Sequence, residues 1–471
     1  MNMRERLLKS LIVFLSFNST VYGDEKPTAN TNAVSVTEQL QQRTPGDAFI
    51  QLFDPVQTTR VAALKTIVEN WSDDDAVMLV EAVRLARSPR TKAAVLDALD
   101  QLTGKPFGSN LGEWYQWIWD NPYQPHPNYA NFKKHLYARI DERFAEYFDD
   151  NYNADIRLDE VRWGGVKRDG IPPLKDPETI PAAEADYLSD TDVVFGVSFG
   201  NQARAYPKRI LAWHEMVKDV VGGQSINGVY CTLCGSMIVY DTKWKGEHYE
   251  LGTSGFLYRS NKLMYDHRTK SMWSTLQGKP VIGPLTGKGI KLKPLYVVTT
   301  TWGAWKQRHP QTDVLSLNTG HRRDYGEGVA YKKYFGTDEL MFDVPSLDRR
   351  LKNKDEVLVI RVTETPQLAI SARFLAKTPV YQPTIGNQTF VVLTDESGAN
   401  RVYESQGVSF DRWTATDAVI STTGSKWKVT EDALVNVSET EPSVQRLPRA
   451  SAHRAFWFAV YSTNSEIRLV R

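Results

Sequence analysis

The sequence predicts an α+β protein, an N-terminal α-helical region followed by a mostly β, internally duplicated domain. Three observations predict it. Apolar residues recur at helical spacing from about 46 to 150, short alternating runs bounded by Gly, Pro, Asn and Asp follow after 150, and residues 193–315 have a degenerate second copy at 357–471. A chain of 471 residues exceeds a single hydrophobic core, which fits this division. Lys and Arg number 57 against 56 Asp and Glu, so no basic field exists to hold nucleic acid or an anionic membrane.

The elements follow in order. Arg4, Arg6 and Lys9, the apolar stretch Leu11–Phe17 and the small-residue end at Gly23 predict a signal peptide over 1–23, cleaved after Gly23, and hence a secreted or periplasmic protein. Residues 24–45 are rich in Thr, Asn, Gln and Ala with almost no large apolar group, which predicts a disordered linker. Over 46–150, Val61, Leu64, Ile67, Val68 and Trp71 make one helical stripe and Val77, Leu79, Val80, Val83 and Leu85 another, with Ser72 and Asp75 spaced as a capping start. Ala62-Ala63-Leu64 is echoed by Ala93-Ala94-Val95, so the region resembles stacked HEAT-like hairpins, a platform suited to a protein partner; a small helical bundle is the alternative. A further helix is expected from Tyr129 to Asp149, and Trp114, Trp117 and Trp119 are expected to pack as core.

From 151 to 471 the runs Val193–Val197, Ser236–Tyr240 and Val357–Val362 read as strands, interrupted by an expected amphipathic helix over Lys208–Val221. No later run approaches the roughly 20 apolar residues that would cross a bilayer, so no transmembrane segment is expected there. The duplication rests on Ala205–Ala212 against Ala369–Ala376, on Ser271-Met272-Trp273 against Ser425-Lys426-Trp427, and on Gly303-Ala304-Trp305 against Ala455-Phe456-Trp457. Laying Asn227 on Asn387 sets Val391 opposite Cys231, Thr394 opposite Cys234 and Thr378 opposite His214, so three soft-metal ligand types vanish together from the second copy.

That loss directs attention to the chain's two cysteines, Cys231 and Cys234, two residues apart. Such a pair holds a soft metal, cycles between dithiol and disulfide, or closes a structural disulfide. With His214 it makes a Cys₂His set with an open position, the pattern of catalytic zinc or of copper. Candidate fourth ligands are Met264, Asp266, His267 and His321; a Met264 thioether would favour copper over zinc, and a transition metal here would serve electron transfer or metal delivery. The alternatives are a thiol–disulfide oxidoreductase in which Cys231 attacks and Cys234 resolves, and a non-enzymatic interaction module with a structural disulfide. The polar, Gly-bounded segment Thr319–Gly326 is a further candidate functional loop.

Several segments, taken in order, resemble one family. They are Val161–Val166 with Asp169–Leu174, Ala205-Tyr206-Pro207, Trp213-His214-Glu215, Tyr230–Ser236, Gly252–Tyr258, Met264-Tyr265-Asp266, Met272-Trp273-Ser274, Gly283–Gly287 and Arg323–Gly326. Together they are similar to DUF family 3179, a bacterial and archaeal domain of unknown function, over about 156–471. Two positions depart from its usual pattern: Thr232 stands where Pro is usual between the cysteines, and His267 where Arg is usual. The resemblance implies no established activity; it implies that domain and motif form one functional unit.

Overall fold

The computed structural model describes residues 44–362, 368–415, 417–438 and 445–471. The expected signal peptide and nearly all of the expected linker lie outside them. Thr44, placed in the linker by its composition, is buried and donates to Asp75 Oδ2. The chain divides into two compact units, one of residues up to Tyr152 with Arg157–Asp159, the other of Asn153–Ile156 with Glu160–Arg471. Among the described residues no helix is long and apolar enough to cross a membrane.

The first unit is helical: α1 Gly46–Gln51, α2 Gln57–Glu69, α3 Ala76–Leu85, α4 Pro89–Thr103, α5 Leu111–Asp120 and α6 Tyr129–Ala138. Helix α3 is apolar nearly all round and is buried from Ala76 to Val83, so the others pack about it. Its one acid in that run, Glu81, is buried against Lys133 of α6 and also accepts from the Tyr129 hydroxyl, which offsets the desolvation of both charges. The start of α4 is set by Ser88, whose side chain accepts from Thr91 N, and by Pro89 at the first helical position. Two expectations fail locally. Ser72 makes no side-chain cap; Asp75 N donates to its backbone carbonyl instead, and the Asp75 carboxylate accepts from Thr44. The helix expected to reach Asp149 ends at Ala138; Asp141 then accepts from Arg143 N and starts a separate 3₁₀ turn over Glu142–Tyr147.

The second unit is mostly β. Its first copy runs β1 Val193–Phe199, β2 Gln202–Pro207, α7 Lys208–His214, β3 Met216–Val221, β4 Gln224–Cys231, β5 Ser236–Asp241, β6 Leu251–Tyr258, β7 Asn261–Asp266, β8 Val298–Thr301, α8 Trp302–Arg308 and β9 Asp313–Leu315. After the short helix α9, Lys332–Phe335, the second copy runs β10 Glu356–Ile360, β11 Leu368–Ser371, α10 Ala372–Lys377, β12 Gln388–Thr394, β13 Asn400–Glu404, β14 Ala452–Phe456, α11 Trp457–Thr463 and β15 Arg468–Val470. The duplication is legible in the sheets themselves. One has the order β8-β1-β2-β9, with Thr179–Pro181 at its edge, and the other β14-β10-β11-β15. In both, the first two pairings are antiparallel and the last is parallel.

The helix expected over Lys208–Val221 stops at His214. Glu215 takes the left-handed conformation with φ 56°, and its N–H bonds back to Leu211 O, a helix C-terminus. The β-branched residues beyond it, Val217, Val220 and Val221, then pair in β3 with β4. The two copies also meet through charge. Glu431 of the second copy has a side chain only 9 % exposed and accepts from Arg308 of the first and from Arg401 and Arg449 of its own. Burial alone would raise the Glu431 carboxyl, but Arg401, a bond from His309, Arg449 and Arg308 hold it well below the usual carboxylate range.

Candidate functional site

The Cys231–Cys234 segment is the turn between β4 and β5. Cys231 pairs with Ser236 across that hairpin, Cys234 N donates to Cys231 O, and a disulfide joins the sulfurs with the Cα atoms 5.2 Å apart. Gly235 follows with φ 62°, and the ring of Phe456 lies 2.7 Å from where its Cβ would be, so only glycine fits both the conformation and the contact. Phe456 N also donates to Cys234 O, so the second copy is fastened directly to the turn.

The structure corrects the pairing expected with the second copy. Aligning the helix starts Lys208 and Ala372 also aligns the hairpin turns that follow Val221 and Ile385 without a gap. In that register Asp395 stands opposite Cys231 and Gly398 opposite Cys234, whereas Thr378 remains opposite His214. The sister turn has the same backbone bond, Gly398 N to Asp395 O at 2.8 Å. It is closed by the Asp395 side chain, which accepts from Ser397 N, the Ser397 hydroxyl and Ala399 N. This turn therefore forms without a covalent link.

Cys231 faces a small cavity of about 60 Å³ also lined by Glu215, Thr232, Thr253, Lys262 and Tyr331; Cys234 does not line it. Glu215 and Lys262 form a buried ion pair at 3.0 Å. The other Glu215 oxygen accepts from the Thr232 hydroxyl at 2.8 Å and from Tyr331 OH at 3.0 Å. The left-handed φ that ends α7 is what presents Glu215 here, immediately beside the middle of the disulfide turn. Burial, with the Glu215 carboxylate next to it, pushes the Tyr331 hydroxyl above its ordinary range. Tyr334 OH donates to Leu233 O, so α9 and the residue before it hold this turn through two hydroxyls.

The expected metal ligands are distributed differently. His214 is buried, and both ring nitrogens have partners: Pro172 O at 2.9 Å from Nδ1 and Tyr325 OH at 2.6 Å from Nε2. A carbonyl only accepts, so Nδ1 carries the proton and neutral Nε2 accepts from Tyr325, whose oxygen meets the Thr319 hydroxyl at 2.6 Å. The His321 ring lies 5.1 Å from that of His214. Thus the Thr319–Gly326 loop is held against His214, and neither His214 nitrogen faces a sulfur. Met264 is buried in an apolar cluster with Trp273 and Leu251. Asp266 caps its own turn, accepting from Arg268 N, Thr269 N and the Thr269 hydroxyl, and takes the Trp273 indole N–H as well. His267 lies against Tyr265 and near Lys218. Among the described residues no group of three or more His, Cys, Asp or Glu is placed to hold a metal ion.

Glu215, Thr253, Lys262 and Tyr331 were not singled out by sequence reasoning. Glu215 and Thr253 carried a signal, each inside a recognised segment, Trp213-His214-Glu215 and Gly252–Tyr258; Lys262 reads as one more alternating residue of a strand.

The His214 chain has a pH consequence. Burial first, then His321 and Arg323, pull its pKa below 6.5, against the opposing bond to Pro172 O. The unfolded chain then takes up a proton that the folded chain refuses, so stability falls as pH drops below about 6.5 and levels off beneath the lowered folded pKa. His453, fully buried and lowered further, adds the same sign. Urea midpoints near neutrality and about two pH units lower should differ, and His214→Gln should reduce that difference without abolishing it; an unchanged difference would remove His214 from this account.

Comparison with known proteins gives one match. A family model described as "Protein of unknown function (DUF3179)" covers residues 168–466, the span that holds the disulfide turn, Glu215, Lys262, the first copy of the repeat and all of the second but its last strand. No curated protein and no solved structure matches the chain. The chain belongs to the DUF3179 family.

Proposed function

We propose that Cys231 and Cys234 form a thiol–disulfide exchange site. The observation that carries this reading is the sister turn: Asp395–Gly398 makes the same backbone bond with a side-chain acceptor in place of a disulfide, so this turn geometry does not by itself call for a covalent link. The two cysteines are also inequivalent: Cys231 lines the cavity and Cys234, wholly buried, does not. A thiolate of a partner dithiol entering the cavity attacks Cys231 Sγ. The Sγ–Sγ bond breaks, and its electron pair leaves on Cys234, which then takes a proton. The partner's second thiolate attacks the mixed disulfide and releases Cys231. The partner is oxidised by two electrons to a disulfide and the pair is reduced to a dithiol; the reverse sequence reduces a partner disulfide.

An exported setting fits this chemistry, since disulfides persist in oxidising compartments. The helical unit is proposed as the surface for a protein partner; it has a cleft of about 170 Å³ among Asp73, Asp74, Trp117 and Tyr123. Thiol labelling at a series of poised potentials tests the exchange reading. The pair is expected to open between about −120 and −270 mV, the range of exchange proteins, whereas a pair still closed below roughly −300 mV would be structural. Stoichiometric uptake of copper or zinc by the reduced chain, abolished in His214→Ala, would instead favour metal delivery.

A further inference from the structure

The cavity beside Cys231 has hydrogen-bond donors without acceptors. Lys262 is 4 % exposed and, among the described residues, its ammonium donates only to Glu215 Oε2, although an ammonium has three N–H donors. Thr253 is 2 % exposed, lines the same cavity, and its hydroxyl has no hydrogen-bond partner among the described residues. Buried donors left unmet cost free energy, so an acceptor that enters here is bound favourably. The acceptors already present are engaged: one Glu215 oxygen receives Thr232 and Tyr331, the other Lys262. Charge is balanced by the Glu215–Lys262 pair. A small anion would add an uncompensated charge, and a cation would find no free carboxylate. What fits is a neutral oxygen acceptor. The space, about 60 Å³, is several times the roughly 10–15 Å³ that one water needs, enough for a carbonyl and a short side chain but not for a nucleotide or ring cofactor. Val166, Ile171 and Phe342 give the remaining wall an apolar character suited to a polypeptide segment.

Resting on the reading of Cys231 as the exchanging sulfur, we propose that the partner is a cysteine-bearing polypeptide whose backbone carbonyl is received by Lys262 Nζ and the Thr253 hydroxyl while its thiol reaches Cys231. The site thereby selects peptide thiols over simple thiols. Oxidised full-length protein is mixed with N-acetylcysteine methylamide or with 2-mercaptoethanol, and the rates of disulfide opening are compared after correction for thiolate fraction. The peptide-like thiol is expected to react at least about tenfold faster, the equivalent of one good hydrogen bond to a charged donor. Thr253→Val, which removes an unpartnered hydroxyl and should fold normally, is expected to lower that preference roughly fivefold. Equal rates, or a preference unchanged in Thr253→Val, would overturn the proposal.

Binding of N-acetylalanine methylamide, which has no thiol, separates the two readings. Its saturable perturbation of the Thr253 methyl resonance, displaced by the peptide-like thiol and not reproduced by acetate, supports the carbonyl site even if the disulfide proves inert. Exchange with both thiols but no binding of the amide would leave the exchange reading standing and remove the carbonyl site.

Discussion

Replacing Cys234 with serine is expected to convert the protein into a trap. Cys231 would still attack a partner disulfide, but no second thiol would resolve the adduct, so one mixed disulfide per chain should accumulate and be visible by mass. Replacing Cys231 instead should lower exchange by orders of magnitude, since the enclosed Cys234 does not line the cavity. Stability should change little by comparison. Opening a loop this short costs at most about 2 kcal/mol of chain entropy, and the sister turn is closed by hydrogen bonds to Asp395 and Ser397 without a disulfide. Equal trapping by both single variants would contradict the assigned roles. Unfolding of both would return the pair to a structural staple.

Glutamine at position 431 is expected to cost about 3–5 kcal/mol, the usual penalty for stripping the countercharge from buried ions. Glu431 faces Arg308, Arg401 and Arg449, all with little exposure, and Arg308 comes from the other copy. A glutamine keeps the shape and part of the hydrogen bonding while removing the charge that Arg308, Arg401 and Arg449 share; Asp395 remains on Arg401. Urea unfolding followed by tryptophan fluorescence should show the second unit's midpoint moving down, with Arg308→Met giving the share that belongs to the joint between copies. A loss below about 1 kcal/mol, the scale of an exposed pair, would show that the network is not what secures that joint.

Most of the architecture was legible from periodicity. The change from helical to alternating spacing near 150 follows from which faces must be apolar, the repeat of 193–315 at 357–471 was read from matched segments such as Ala205–Ala212 and Ala369–Ala376, and the paired sheets display that repeat in strand order and sense. Element ends were less legible. Lys208–Val221 carries apolar residues compatible with a helix throughout, and a single left-handed residue, Glu215, ends it. Likewise Ser72 and Asp75 have capping spacing, yet Asp75 bonds Thr44, a residue whose composition-poor neighbourhood predicted no contact at all.

The sequence by itself determined that Cys231 and Cys234 are the chain's distinctive chemical pair and that the second copy lacks them, because a two-residue spacing and a missing counterpart are visible in the letters. Only the tertiary structure decided their neighbours. His214, expected to join them, is turned to Pro172 and Tyr325, while Glu215, Lys262 and Thr253 converge on the cavity of Cys231 from separate elements. The physical reason is that hydrophobic spacing specifies which face of a strand is buried but not which buried polar group meets which. Those meetings depend on the left-handed turn at Glu215, the packing of Phe456 on Gly235, and the hydroxyls of Tyr331 and Tyr334, none of which has a local sequence period.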